Sequence, residues 1–173
     1  MMSIFSHYIS RYEESKEEEL TIQEYLDICK KDPSAYATAA ERMLMAIGEA
    51  EVLDTRKVPR LSRIFSNKPI RIYPAFKDFY GMEDAIEQIV SYFKHAAQGL
   101  EERKQILYLL GPVGGGKSSM AEKLKHLMEK IPFYAIKGSP VNEWPLSLFA
   151  ADEDGEILEQ DYGIPPRYLH TIK

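Results

Sequence analysis

Cysteine is nearly absent from this sequence of 173 residues, which contains Cys29 alone. One cysteine cannot form a disulfide within the chain, and no metal-ligand spacing surrounds it, which argues against disulfide scaffolds and cysteine-based metal sites. The sequence also lacks the run of about 18 apolar residues that a membrane-spanning helix requires. Its first ten residues carry neither the basic segment nor the apolar stretch of a secretory signal. We therefore expect a soluble protein with no membrane partner.

Positive charge is also in short supply. The chain has 22 Lys and Arg against 27 Asp and Glu, which gives a formal net charge of -5 and a pI near 5.5. Such a balance supplies no broad positive field for a phosphate backbone, so we expect no nucleic-acid partner. The hydrophobic fraction of 45% and the charged fraction of 28% are ordinary for a globular protein. Any anion-binding site must therefore be local.

The first part of the chain is predicted to be helical. Thr21 and Glu24 have the spacing of a capping box and begin a short amphipathic helix, after a solvated acidic segment at 13–19. Asp32-Pro33 is predicted to open a second helix that ends at Gly48. Residues 1–48 therefore form an N-terminal helical region. Residues 49–74, where the periodicity fades, are predicted to be a solvated connector.

The second half, residues 75–173, has the pattern of a partial P-loop domain. A helix is predicted from Met82 to Gly99, and the continuous apolar run 106–110 is typical of a buried parallel strand. A helix from Lys117 to about Lys130 and a strand at 132–137 follow. Strand, crossover helix and strand predict an α/β fold of the P-loop NTPase type, with a parallel sheet that we expect to be incomplete.

The segment from Gly111 to Ser118 fits G-x-x-x-x-G-K-[ST] at every fixed position, between the predicted strand and helix. Its glycines are predicted to adopt backbone angles closed to other residues and to turn amide groups toward phosphates. Lys117 is the candidate catalytic residue and should contact the β and γ phosphates, while Ser118 should bind Mg²⁺. The predicted phosphate-binding residues are Gly111, Pro112, Val113, Gly114, Gly115, Gly116, Lys117, Ser118 and Ser119. For Ser119, a plain polar position in the first helical turn is the alternative.

The loop with Pro112 resembles the variant found in AAA+ ATPases. Tyr80-Gly81-Met82, ahead of a helix, resembles the upstream box of that superfamily, which holds the adenine. Gly81 would let the backbone approach the base, and Tyr80 and Met82 would supply an apolar wall. The alternative for Tyr80 and Met82 is packing in the core. The resemblance implies ATP and Mg²⁺ as cofactors.

A longer resemblance covers most of the chain. Tyr-Pro-Ala-Phe-Lys-Asp-Phe-Tyr-Gly-Met-Glu, Gly-Pro-Val-Gly-Gly-Gly-Lys-Ser-Ser and Lys-Gly-Ser-Pro-Val-Asn-Glu resemble the N-terminal part of the bacterial PrkA serine protein kinases. This implies an AAA+ module, serine/threonine kinase activity of the full-length protein, a cytoplasmic location and a stress or sporulation setting. Members of that family are several times longer, so we expect a fragment whose protein substrate is engaged through a missing C-terminal region. A homo-oligomer is compatible with the resemblance.

Hydrolysis of ATP also needs an acidic residue at the end of a buried strand. Residues 148–153 imitate that pattern with Asp152 and Glu153, but their context predicts an acidic loop, and Arg167 is expected to be a surface residue. The fragment alone is therefore expected to be inactive. Two alternatives to an enzyme part of the PrkA type are a nucleotide-dependent regulatory or assembly module without turnover and a small-molecule P-loop kinase. The latter needs an arginine-rich lid, which is not evident after Lys130.

Overall fold

The computed structural model describes Phe5, Ile9 and residues 19–169. The chain divides into two compact units, of which one comprises Met1–Asp32 with Ser147–Lys173 and the other comprises Pro33–Leu146. The acidic segment predicted at 13–19 lies outside the described residues except for Glu19. No helix in the described part of the chain is long and apolar enough to cross a membrane.

The regular elements are short. Within residues 19–169 the helices are α1 (Ile22–Lys31), α2 (Ala39–Ile47), α3 (Pro59–Ile64), α4 (Glu83–Ala97), α5 (Lys117–Met128) and α6 (Ala151–Tyr162), and the strands are β1 (Glu51–Asp54) and β2 (Pro69–Ile72). Single 3-10 turns lie at Pro33–Tyr36, Thr55–Lys57, Pro74–Phe76, Glu101–Lys104, Pro145–Leu148 and Pro166–Tyr168.

The first unit packs α1 against α6. The predicted capping box of α1 is confirmed, because the Glu24 amide donates to the Thr21 hydroxyl and the Glu24 carboxylate accepts from the Thr21 amide at 2.8 Å. Gln23 Nε2 on α1 donates to the Tyr162 hydroxyl on α6 at 2.9 Å. The buried residues of this unit include Tyr25, Leu26 and Cys29 on α1, Leu158 on α6 and Ile164 after it.

Helix α6 replaces the acidic loop predicted around Asp152 and Glu153, so that prediction is wrong. Both residues lie in the first helical turn, and Asp154 Oδ2 accepts a hydrogen bond from the Ala150 amide at 2.9 Å. Negative side chains are favourable at the positive end of a helix. Gly163, with φ of 70°, ends the helix in the left-handed region.

Helix α2 of the second unit begins later than predicted. Pro33–Tyr36 forms only a 3-10 turn, and the helix starts after Thr38, whose hydroxyl accepts from the Glu41 amide. The Thr38 amide donates in turn to the Glu41 carboxylate at 2.7 Å. The helix therefore begins at this second capping box and not at Asp32-Pro33. The predicted end at Gly48 is confirmed.

The segment predicted as a connector contains regular structure. Strands β1 and β2 pair antiparallel, with Glu51 opposite Ile72 and Asp54 opposite Pro69. The loop between them is anchored by Thr55, which is fully buried and donates its hydroxyl proton to the Lys68 carbonyl oxygen at 2.8 Å. The domain boundaries predicted at residues 48 and 74 stay predictions.

The core of the second unit lies between α2, α4, α5 and the segment that follows β2. The predicted course of α4 is confirmed, including its end before Gly99, whose φ is 79°. Buried residues that share this core are Met43, Ile47, Tyr73, Phe76, Ile86, Ile89, Val90, Met120, Leu124 and Leu127. The stripes of α2, α4 and α5 thus meet in one cluster.

The two predicted parallel strands are not paired in a sheet. Within the described residues β1 and β2 form the only sheet, and residues 106–110 and 132–137 have no strand partner. The side chains of 106–110 alternate, however, with Leu107 and Leu109 packed against the core and Ile106, Tyr108 and Leu110 exposed. This alternation suits a strand that has one covered face. The α/β character is confirmed, and the parallel arrangement is not.

Candidate functional site

The phosphate-loop sequence lies between residues 106–110 and the first turn of α5. The loop turns at 113–116, and α5 begins at Lys117 as the motif predicts. Three buried residues of α5, Met120, Leu124 and Leu127, pack in the core and hold the start of the helix in place. The loop itself is exposed, with Val113 entirely accessible.

The four glycines of the loop serve two different needs. Gly114 and Gly116 have φ angles of 80° and 76°, in the left-handed region that glycine adopts readily. Gly111 and Gly115 have no positive φ, so the prediction of unusual angles is wrong for these two. At Gly115 the need is for space, because a Cβ there would lie 3.1 Å from the carbonyl oxygen of Pro112.

The side chain of Lys117 folds back over the loop. Its Nζ donates to the carbonyl oxygens of Gly111 at 2.8 Å and Pro112 at 2.7 Å. These two contacts hold the ammonium group over the residues that the motif assigns to phosphate binding. The positive charge is therefore positioned before any anion arrives, which lowers the ordering cost of binding.

The first turn of α5 offers free backbone donors. Gly116 is the N-cap residue, and no side chain caps the helix there. The first backbone bond of the helix is donated by the Met120 amide to the Gly116 carbonyl oxygen, and within the described chain the amides of residues 117–119 have no backbone acceptor. Ser118 and Ser119 are exposed on this turn. Free amides at the positive end of a helix are an anion-binding arrangement.

The residues of the predicted adenine box are placed differently from one another. Met82 is partly buried against the core, and its Sδ lies 3.3 Å from where a Cβ on Gly116 would stand. Met82 is thus brought against the phosphate loop. Gly81 has φ of 76°, and Tyr80 is 82% exposed, so core packing does not apply to Tyr80. For Met82, packing against the core is observed.

Glu83 follows Met82 as the first residue of α4, and sequence reasoning did not single it out. Its Oε2 is buried and has no hydrogen-bond partner among the described residues. A buried carboxylate oxygen without a partner is costly unless a donor or a cation reaches it. The sequence signal that points to Glu83 is its position next to the Tyr80-Gly81-Met82 segment.

The residues of the loop fit an anion. The loop combines a positioned ammonium group, left-handed glycines and free amides, which is the donor set that phosphates require. In the described part of the chain no group of three or more His, Cys, Asp or Glu could hold a metal ion. The Ser118 side chain is exposed on the first turn of α5, beside the loop.

Arg167, which is expected to be a surface residue, and two histidines form contacts with neighbouring side chains. Arg167 donates to the Tyr168 hydroxyl at 2.7 Å and stacks over its ring. His95 contacts Glu102, and His126 contacts Glu129.

Known proteins resemble this chain over nearly its full length. The serine/threonine kinase YeaG of Escherichia coli (strain K12) is 65% identical over 175 residues, which cover 99% of this chain and 27% of that protein. The ATP-dependent protease PrkA of Bacillus subtilis (strain 168) is 35% identical over 169 residues, covering 90% of this chain and 24% of that protein. No solved structure matches the chain.

The chain thus spans 27% and 24% of the lengths of these two curated relatives. The family model described as the PrkA AAA domain matches residues 20–173. That range contains the phosphate loop, the Tyr80-Gly81-Met82 segment and helices α1 to α6. The resemblance seen in the sequence motifs is confirmed: the chain belongs to the PrkA AAA domain family.

Proposed function

We propose that this chain binds ATP with Mg²⁺ through the loop from Gly111 to Ser119. The observation that carries the proposal is the position of Lys117, whose ammonium group is held over the loop by two carbonyl oxygens beside a helix start with free amides. A triphosphate would accept from the loop amides and take Lys117 as partner for its β and γ phosphates. Bound Mg²⁺ neutralises phosphate charge during phosphoryl transfer.

Ser118 is proposed as the metal ligand, because it follows Lys117 directly and is exposed on the first turn of α5. Met82 and Gly81 are proposed to approach the base from the side where Met82 contacts Gly116. Tyr80 is proposed to close over the base, since most of its ring is free to contact a ligand.

We propose further that residues 106–110 and 132–137 become strands of one parallel sheet in the complete AAA module. The alternation at 106–110 leaves Leu107 and Leu109 on the helices and a second apolar face uncovered. None of the amides of 106–110 has a backbone hydrogen bond within the described residues. Both the face and the backbone groups are therefore available to further elements of a longer protein.

For that longer protein we propose a serine/threonine protein kinase that acts on a protein substrate. Support comes from the relative with 65% identity, which is named a serine/threonine kinase. The relative with 35% identity is named an ATP-dependent protease. A protein kinase and an ATP-dependent protease both consume ATP. The alternative is a regulatory or assembly module without turnover of its own, favoured by one observation: Asp152 and Glu153 lie in a helix and cannot be the acidic pair of a buried strand.

Calorimetric titration with a non-hydrolysable ATP analogue and Mg²⁺ tests the site. Lys117→Ala should weaken binding roughly tenfold to a hundredfold, because a hydrogen bond to a charged group contributes about 1.5–3 kcal/mol. The matched control is Lys125→Ala, which removes an exposed lysine from the last turn of the same helix. Equal affinities for the two variants would overturn the proposal.

A second pair of variants tests the metal ligand. Mg²⁺ should raise the affinity for the analogue, and in Ser118→Ala this increase should be about tenfold smaller. A factor of this size corresponds to the loss of one contact to a charged group. Ser119→Ala should keep the full increase. If both variants respond to Mg²⁺ like the unmodified chain, Ser118 is not the ligand.

Turnover is tested in a longer protein that includes this chain. Steady ATP consumption with phosphate transfer to protein serine supports the kinase, and ATP-driven cleavage of an unfolded protein supports the protease. Tight binding of ATP without either reaction supports the regulatory module.

A further inference from the structure

A cavity away from the phosphate loop lies within the unit Pro33–Leu146. Its volume is about 530 Å³, and it opens between α2, α4 and the C-terminal end of α5. Its wall is mainly apolar and includes the aromatic side chains of Tyr92, Phe93, Phe133 and Trp144. This size and lining are typical of sites for small organic molecules.

Arg42 is the unusual residue of this cavity. It is only 9% exposed, and its Nε has no hydrogen-bond partner within the described residues. Its Nη2 contacts the Sδ of Met128 at 3.7 Å, and its guanidinium carbon lies 4.7 Å from the centre of the Phe133 ring. Neither partner carries a negative charge, and Arg42 forms no ion pair in the part of the chain that the structure describes.

Other arginines of the chain show what Arg42 lacks. Arg56 pairs with Asp54, and Arg71 pairs with Glu87, although both arginines are exposed and need a partner less. A buried arginine is rarely left without an anion, because an uncompensated buried charge is costly. Burial accordingly lowers the pKa of the Arg42 guanidinium below its usual value. The cavity therefore presents a cationic donor whose natural complement is an anion.

The charges around the cavity limit what that anion can be. Arg42 and Arg103 line it, and so does Glu102, whose carboxylate contacts His95 at 3.0 Å. Two cations and one carboxylate leave one positive charge in excess. A single negative charge would balance it, whereas a phosphate dianion would leave negative charge beside the Glu102 carboxylate.

We propose that this cavity binds a small organic monocarboxylate with an apolar or aromatic body. Its carboxylate accepts from the Arg42 guanidinium, and its body lies among Phe93, Phe133 and Trp144. A charge-assisted bond to a buried guanidinium supplies the orientation, and burial of apolar surface supplies the remaining affinity.

The cavity is separate from the nucleotide site. Met128, the last residue of α5, lines the cavity, whereas Lys117, the first residue, carries the phosphate loop. At 1.5 Å per residue the two ends of this helix are roughly 16 Å apart. Binding at the cavity can therefore be measured with the phosphate loop empty, and its failure would leave the nucleotide proposal untouched.

The test uses 3-phenylpropionate as the probe and its neutral isostere 3-phenylpropanamide as the matched ligand. Trp144 is the single tryptophan of the chain and lines the cavity, so its fluorescence reports occupancy, with calorimetry as the second measurement. We expect saturable binding of the carboxylate and at least about tenfold weaker binding of the amide. Equal binding of the two probes, or no saturation up to about 10 mM carboxylate, would overturn the proposal.

Two variants separate the roles of charge and space. Arg42→Met keeps the length of the side chain and removes its charge, so the carboxylate should lose its advantage over the amide. Ala40→Leu keeps Arg42 and narrows the cavity from α2, so it should weaken both probes. Tighter binding of inorganic phosphate than of the carboxylate would contradict the assignment of a monoanion.

The stability of Arg42→Met distinguishes a binding role from a structural one. If the guanidinium serves a ligand, its removal deletes an uncompensated buried charge, and the unfolding midpoint in urea should stay or rise. A lower midpoint with unchanged probe selectivity would assign Arg42 to packing alone and overturn the proposal.

Discussion

At the scale of single residues, the phosphate loop predicts different tolerance of alanine at two of its glycines. A Cβ at Gly115 would lie 3.1 Å from the Pro112 carbonyl oxygen, which cannot move without reshaping the loop. A Cβ at Gly111 would meet only Lys117 side-chain carbons, at 3.8 Å or more. We expect Gly115→Ala to weaken binding of the ATP analogue about tenfold or more, and Gly111→Ala to change it less than about threefold. Calorimetry on both variants checks this order, and the reverse order would contradict it.

Cys29 is the second residue with a distinct expected behaviour. Its thiol is 1% exposed on α1, and burial raises the pKa of the Cys29 thiol. The reactive thiolate is therefore scarce in the folded chain at pH 8, where an unfolded thiol is partly ionised. Reaction with a disulfide reagent at pH 8 should be slow in buffer and fast in urea. Equal rates in the two conditions would show that the thiol is accessible.

The raised pKa also sets a direction for stability. A folded-state pKa above the unfolded one gives a contribution that is complete below the unfolded pKa and is lost as pH rises through the folded pKa. The Cys29 contribution should therefore decline from about pH 8.5 upward. Urea unfolding at pH 7 and pH 10 should show a larger loss for the unmodified chain than for Cys29→Ala. The same loss in both chains would assign the pH dependence to other groups.

At the scale of elements, the start of α2 depends on its capping box. Thr38→Ala should lower the free energy of unfolding by about 1 kcal/mol, because the Glu41 amide loses its acceptor. Thr38→Ser keeps a hydroxyl and should stay within about 0.5 kcal/mol of the unmodified chain. Urea denaturation measures both. A Thr38→Ser variant as unstable as Thr38→Ala would mean that the methyl group, and not the cap, matters.

The elements also show what the sequence could predict and why the rest failed. Helices α1, α4 and α5 follow from local signals, since each has one apolar stripe. A capping box marks the start of α1, Gly99 follows the end of α4, and the glycine loop precedes α5. The predicted start of α2 is wrong because Asp32-Pro33 is a helix signal too, and the competing capping box at Thr38 lies six residues later. Strands β1 and β2 have four residues each, too few for a periodic pattern, and they depend on pairing with each other.

The candidate site divides in the same way. The phosphate loop is contiguous in sequence, so its motif locates it. The structure adds which glycines have a positive φ and which one lacks space for a Cβ. The cavity around Arg42 combines residues from three helices and from three connecting segments, and nothing local in the sequence brings them together. The unpaired, buried guanidinium of Arg42 can be recognised only in the folded structure, because the sequence does not show which side chains surround it.

At the scale of the whole molecule, residues 106–110 are an element that the described chain leaves without partners. Their amides have no backbone acceptor among the described residues, whereas the Ile136 amide donates to the Glu143 carbonyl oxygen at 2.8 Å. Hydrogen exchange should therefore be fast at Tyr108, slower at Ile136, and slowest at Val90 in the buried face of α4.

The same measurement on a longer protein that includes this chain tests the proposed parallel sheet. If 106–110 becomes an inner strand there, the amide of Tyr108 should gain protection of a hundredfold or more, since a buried strand opens only with its sheet. The amide of Val90 should change little, because α4 is already packed in the shorter chain. Fast exchange at Tyr108 in both proteins would mean that the segment preceding the phosphate loop is not a strand, and the loop would then be anchored by α5 alone.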